Sequence, residues 1–132
     1  MENILKVEEN SLVNKNSYDV LKTTLKILDS KQAHDILTIK VDEKTIIADY
    51  FVICTAYSTT QLDTLSYELE DKLRFAGLDY IKIEGNDSGE WRIVDCKDVI
   101  VHIFSREARE FYKLDRLWSD CEKIDVDKLI EE

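Results

Sequence analysis

The residue types that could do chemistry in this chain crowd into one stretch, Glu84 to His102. Asp87, Ser88, Asp95, Asp98 and His102 are of the kinds that hydrolases use as nucleophile, acid and base. Their spacing does not assemble them. A serine nucleophile on a strand-to-helix elbow needs Gly-x-Ser-x-Gly, and no such run occurs. Ser88 sits in the turn-forming run Gly85-Asn-Asp-Ser-Gly89, where serine commonly bonds its own backbone. The two glycines lack the following Lys-Ser/Thr of a phosphate loop, and no helix starts there. Asp95 and Asp98 flank a tight connection and could together hold Mg²⁺, although a solvated acidic turn is the plainer reading. His102 lies between Val101 and Ile103 in a strand-like run. A half-buried imidazole satisfied by a neighbour fits it best, an interface residue next, a catalytic base third.

Metal and disulfide frameworks fare no better. Two histidines, His34 and His102, are too few for a metal site, and three cysteines without Cys-x-x-Cys make neither a disulfide scaffold nor a zinc ribbon. Cys54 and Cys96 fall in apolar runs and read as buried thiols.

The composition is that of one folded domain. With 132 residues and 44% apolar content, the chain can bury a sizeable core without staples. Its formal charge is −10, and the acid is uneven. Residues 1–34 carry five acidic and five basic residues, which leaves 23 acidic and 13 basic residues beyond them. That balance argues against grip on duplex phosphates and against docking on anionic lipid. It favours a basic partner, although acidity also simply confers solubility. The longest apolar run, Ile46 to Ala56, is broken by Asp49 and far too short to span a bilayer. The N-terminus has neither a signal-type apolar stretch nor an Arg-rich amphipathic one, so a cytoplasmic location is expected.

Elements must position whatever site there is. Residues 1–16 read as a polar extension. Tyr18, Leu21, Leu25 and Leu28 make one helical stripe, capped by Asn16 or Ser17 and ending near Ala33. Residues 35–41 alternate as a half-buried strand, and residues 49–56 are apolar enough for a central strand covered on both faces. Ser58-Thr-Thr-Gln61 is a capping box in which Gln61 should reach back to the N-cap. Leu62, Leu65, Leu69 and Leu73 continue that helix, Lys72 and Arg74 suit its last turn, and Gly77 should end it. Strands follow at 80–84, 91–95 and 98–104, the last two as an antiparallel hairpin. Ser105 caps a short helix to about Tyr112, and Leu114 to Trp118 make another turn. From Ser119 the chain turns polar, with a weak apolar set at Ile124, Val126, Leu129 and Ile130. The expected fold is α/β: one mixed sheet of about five strands with helices packed on it.

Four segments in order carry a family resemblance: Ala48 to Gln61 (ADYFVICTAYSTTQ), Glu84 to Asp95 (EGNDSGEWRIVD), Asp98 to Phe104 (DVIVHIF) and Arg109 to Trp118 (REFYKLDRLW). Together they resemble the ribosomal silencing factor, or Iojap, family over residues 17–120, with 1–16 and 121–132 as a polar extension and an acidic tail. Tyr57 departs from the family, which usually has a small residue there. The resemblance implies a nucleotidyltransferase-like topology without enzymatic activity and without cofactor or metal. It implies binding to the large ribosomal subunit at its protein number fourteen, blocked joining of the small subunit and repressed translation when nutrients are scarce. It further implies little direct nucleic-acid contact, no membrane, and a homodimer in some members. On that reading Trp91, Phe104, Tyr112 and Leu114 supply apolar contact, and Glu84, Asp87, Asp95 and Asp115 supply negative charge around it. Spacing alone leaves Trp91 open between core and interface. The rival readings are a nucleotidyltransferase-type enzyme using Asp95 and Asp98 with a metal, and a homodimeric adaptor pairing through a sheet edge.

Overall fold

A computed structural model describes residues 5–85 and 87–132. The elements run α1 (Ser17–Ser30), β1 (His34–Lys40), β2 (Tyr50–Thr55), α2 (Thr59–Phe75), β3 (Lys82–Glu84), β4 (Trp91–Asp95), β5 (Val99–Phe104), α3 (Arg106–Tyr112), α4 (Leu114–Leu117), β6 (Glu122–Ile124) and α5 (Val126–Glu131). One mixed sheet has the order β3-β4-β5-β2-β1-β6. Its centre is the parallel pair β2 and β5, and the other neighbours are antiparallel. The sheet therefore has six strands, one more than expected.

The local signals act where they were expected. Asn16 Oδ1 accepts the Asp19 N–H at 3.0 Å and starts α1. Ser58 Oγ accepts the Gln61 N–H at 3.0 Å and starts α2. The return half of that box differs. Gln61 Oε1 accepts the N–H of Tyr57, one residue before the N-cap, at 2.8 Å. Its amide nitrogen meanwhile donates to the Gln32 carbonyl at 2.9 Å, which ties the start of α2 to the end of α1. Helix α1 stops at Ser30, short of Ala33, because Gln32 turns left-handed at φ +62° and the Ala33 and Gln32 amides bond back to Leu28 and Asp29. Gly77 closes α2 in the same way: at φ +97° its N–H meets Arg74 O while the Leu78 N–H meets Leu73 O. A Cβ there would also lie 2.5 Å from Val13 Cγ2.

The polar extension expected over residues 1–16 lies outside the described residues at 1–4; from residue 5 on, it and the C-terminal segment are built into the fold. The Asn10 and Leu12 amides donate to the Phe75 and Ala76 carbonyls, and Leu12 is buried. At the other end β6 pairs with β1, placing Ile124 opposite Thr38. Asp125 caps α5 through the Lys128 N–H, and Leu129 is buried in the main core. The segment expected as an acidic tail thus supplies an edge strand and a helix. Its apolar residues are too few to form a stripe, but they complete a surface that β1 and α1 already present.

Strand alternation divides the core in two. Val52, Cys54, Val94, Val99, Val101 and Ile103 point to one face, where α1, α2 and α5 cover them with Leu21, Leu25, Leu28, Leu62, Leu65, Leu69, Leu73 and Leu129. Ile39, Phe51, Ile53 and Phe104 point to the other, which the short α3 and α4 shield through Ala108 and Leu114, with Val41, Ala48, Trp118 and Cys121 packed at its margins. Arg92 is the exception on the first face. Only 4% exposed, it binds Asp63 Oδ1 and Ser66 Oγ on α2, both at 2.9 Å, and donates to the Gly85 and Ser88 carbonyls at 3.2 and 3.1 Å. One buried guanidinium thereby ties Gly85 and Ser88 to α2.

Candidate docking face

The thinly covered face carries a cluster of aromatic residues. Trp91, the first residue of β4, is half-buried beside Phe104, the last of β5, with ring centroids 4.9 Å apart. Tyr112, at the end of α3, packs on the same indole at 4.7 Å and is itself 50% exposed. Trp91 Nε1–H donates to His102 Nδ1 at 3.3 Å. Phe51 meets His102 edge-on at 5.4 Å and Trp118 edge-on at 5.0 Å. The aromatic cluster thus runs across β4, β5 and β2, largely buried at Phe51, His102 and Phe104, with edge-to-face contacts that such rings favour. Beyond it Phe111 and Leu117 are 78% and 71% exposed.

Trp91 is neither fully buried nor free: Phe104, Tyr112 and His102 pack on it, and the residue keeps partial exposure. Phe104, expected as a contact residue, is corrected to a support. It is fully buried, because Trp91 and Tyr112 lie over it. Leu114 is half-buried against the second core and belongs to the same face.

The acidic residues are more scattered. Glu84 is exposed on edge strand β3, with Lys82 Nζ 3.4 Å away. Asp87 is exposed next to Ser88, whose carbonyl Arg92 binds. Asp115 is spent on Arg109, at 2.9 Å, and Arg109 also donates to Thr55 Oγ1 at 3.0 Å and to the Asp35 carbonyl. Asp95 lies four residues from Trp91 along β4, about 13 Å away. Its Oδ1 accepts the Lys97 N–H at 2.8 Å in the β4–β5 turn. Lys97 there has φ +76°. Asp95 is therefore a turn-forming residue, and among the described residues no group of three or more His, Cys, Asp or Glu side chains could hold a metal ion.

The remaining candidates for chemistry have structural partners. Ser88 Oγ accepts the Glu90 N–H at 3.1 Å. Burial raises the Cys54 and Cys96 thiols to about 12, so neither is a nucleophile at neutral pH. Burial lowers His102 to about 4, which keeps it a neutral acceptor for Trp91. Tyr57 stacks on His34 with centroids 3.5 Å apart, and Arg106 lies 4.2 Å from the same ring's centroid, so its bulk has a place of its own. Sequence reasoning missed Phe111, Leu117 and Glu90. The first two share the Leu114–Trp118 helical spacing, which was a usable signal. Glu90, which takes the Ser105 hydroxyl at 2.9 Å, had none.

The mixed sheet thus has one face closed by three helices and the other thinly covered and aromatic. Comparisons with known proteins agree in fold and family. The family model described as ribosomal silencing factor during starvation matches residues 14–132. A Bacillus subtilis protein named ribosomal silencing factor RsfS is 36% identical over 112 residues, covering 85% of this chain and 95% of that protein. A mouse protein named for mitochondrial assembly of the ribosomal large subunit is 33% identical over 96 residues, covering 70% of this chain and 42% of the mouse protein. A crystal structure of a Chromobacterium violaceum protein superposes with a TM-score of 0.76 at 29% identity, covering 79% of this chain and 87% of that one. The chain belongs to the ribosomal silencing factor family and so to the proteins that regulate translation. The family match extends over the C-terminal segment, in keeping with its place in the fold.

Proposed function

We propose that this protein binds the large ribosomal subunit at its protein number fourteen and, by occupying the joining surface, keeps the small subunit away. The observation that carries the reading is the aromatic face of the sheet, with Trp91 and Tyr112 reaching solvent on a domain of net charge −10. Half-exposed Trp and Tyr are frequent hot spots, and an acidic body is drawn to basic ribosomal surfaces. Leu114 extends the apolar contact, Phe104 supports it from beneath, and Glu84 and Asp87 lend charge at the rim. Asp95 and Asp115 contribute through the field more than through contact, since each already accepts a hydrogen bond within the fold.

The mechanism is steric and needs no chemistry. A domain of 15.4 kDa fills space that the incoming subunit requires. The protein acts in the cytoplasm, as a binding protein rather than an enzyme, with protein contacts dominant over nucleic-acid ones. The edge strands β3 and β6 are three residues each, a length that limits self-pairing through a sheet edge. Co-sedimentation tests the reading. The protein should pellet with isolated large subunits, not with small ones, and should lower the yield of joined ribosomes. Pelleting with neither subunit would overturn it.

A further inference from the structure

Deepening that docking reading, and resting on it for its functional consequence, we infer that His102 is the positioning residue of the docking face: its Nδ1 accepts the Trp91 indole N–H and fixes the ring in the orientation the partner meets. The hydrogen bond is 3.3 Å long, and it decides the tautomer, since an Nδ1 that accepts leaves the proton on Nε2. His102 cannot easily move. It is 9% exposed, lies edge-on to Phe51 and runs parallel to Phe104 with an 11° angle between the rings. Its β5 backbone is paired on both sides, opposite Ile53 on β2 and Ile93 on β4. Trp91, by contrast, stands at the very start of β4, after a loop, and is only partly buried. Phe104 and Tyr112 restrict the tilt of the indole. Van der Waals contact alone lets a ring slide or flip, whereas a directional bond to a fixed acceptor selects one edge. The bond also satisfies the only polar atom of the indole side chain, so the part left in solvent is apolar.

A positioning role and a packing role predict opposite orders for two substitutions. His102→Phe keeps the aromatic volume and removes the acceptor. His102→Asn removes volume but leaves an oxygen where Nδ1 stood. If His102 positions Trp91, His102→Phe should weaken binding to purified large subunits by about fivefold, the scale of one lost hydrogen bond, and His102→Asn should stay within about twofold of the parent. In unfolding experiments the order should reverse, with the smaller Asn giving the less stable protein. The His102→Phe loss should vanish when Trp91 is already Phe, because the donor is gone.

A second measurement reads the ring without the ribosome. Trp91 and Trp118 are the two tryptophans, so Trp118→Phe leaves Trp91 as sole reporter. In that background His102→Phe should increase the fast motion seen in time-resolved fluorescence anisotropy, and His102→Asn should restore the slow value. Unchanged anisotropy with His102→Phe overturns the inference, as does weaker binding with Asn than with Phe. Unchanged binding with Trp91→Ala, together with the anisotropy change, overturns the docking reading while leaving the positioning of the ring intact.

Discussion

The two faces of one sheet solve different problems with the same strands. The first is closed by three helices and filled with branched aliphatic side chains, and Leu62, Leu65, Leu69 and Leu73 of α2 are each no more than 1% exposed. The second is shielded by two helices of seven and four residues and relies on rings. Aliphatic chains interdigitate and exclude water, which stabilises. Rings cover much area with few rotatable bonds, so they form an ordered surface even when one side is wet. On the proposed docking reading, strand parity separates the main core from the recognition surface: alternate residues of β4 and β5 face one or the other.

The comparison can be broken most decisively in the first core. Leu69→Ala should cost about 3 kcal/mol of unfolding free energy in urea, through lost transfer energy and an unfilled cavity. Variant protein that still folds should bind large subunits as the parent does. A loss of affinity without a loss of stability would mean that the faces are not separate.

Next comes pH, which probes the second face. His102 titrates near 6.5 when unfolded and at about 4 when folded. The unfolded chain therefore binds more protons between these values, and stability falls as pH drops from about 6.5 toward 4. Its full contribution is about 3 kcal/mol, present above the unfolded value. Carboxylates titrate over part of this range, so the measurement is the difference between parent and His102→Phe unfolding curves from pH 7 to 4.5. The parent should lose more stability over that interval. Parallel curves would place His102 in water.

Trp91→Ala should weaken large-subunit binding by about 2 kcal/mol, close to thirtyfold, as should Tyr112→Ala if both are hot spots. A pair of replacements without effect, in folded protein, would remove the aromatic face from the interface. The smallest effect belongs to the outer surface of α2. Tyr67 is 65% exposed there, so Tyr67→Ala should change neither stability by more than about 0.5 kcal/mol nor binding measurably. A larger binding loss would show that the partner touches the armoured side.

Much of this was legible in residue order because it is local. Asn16, Ser58, Ser105 and Gly77 act on amides and carbonyls within a few positions, so their roles follow from type and spacing. The β4–β5 hairpin follows from two strand-like runs joined by a short turn. The C-terminal β6 and α5 were not legible. Neither carries enough apolar residues to stand alone, and each forms only because β1 and α1 are already placed to receive it. The aromatic face was half legible. Trp91, Tyr112 and Leu114 were identifiable by type, yet nothing in the order of residues distinguishes Phe104 beneath from Trp91 above.

The sequence by itself determined the family, the acidic character, the elements from α1 to α4 and the alternation that gives each strand two sides. Tertiary structure alone decided which side three helices would close. It also decided that Arg92 would be spent on α2, that Asp95 and Asp115 would be taken up within the fold, and that His102 would meet the Trp91 indole. These are contacts between residues brought together by chain crossings, and burial is a property of what lies overhead, which no single position in a chain specifies.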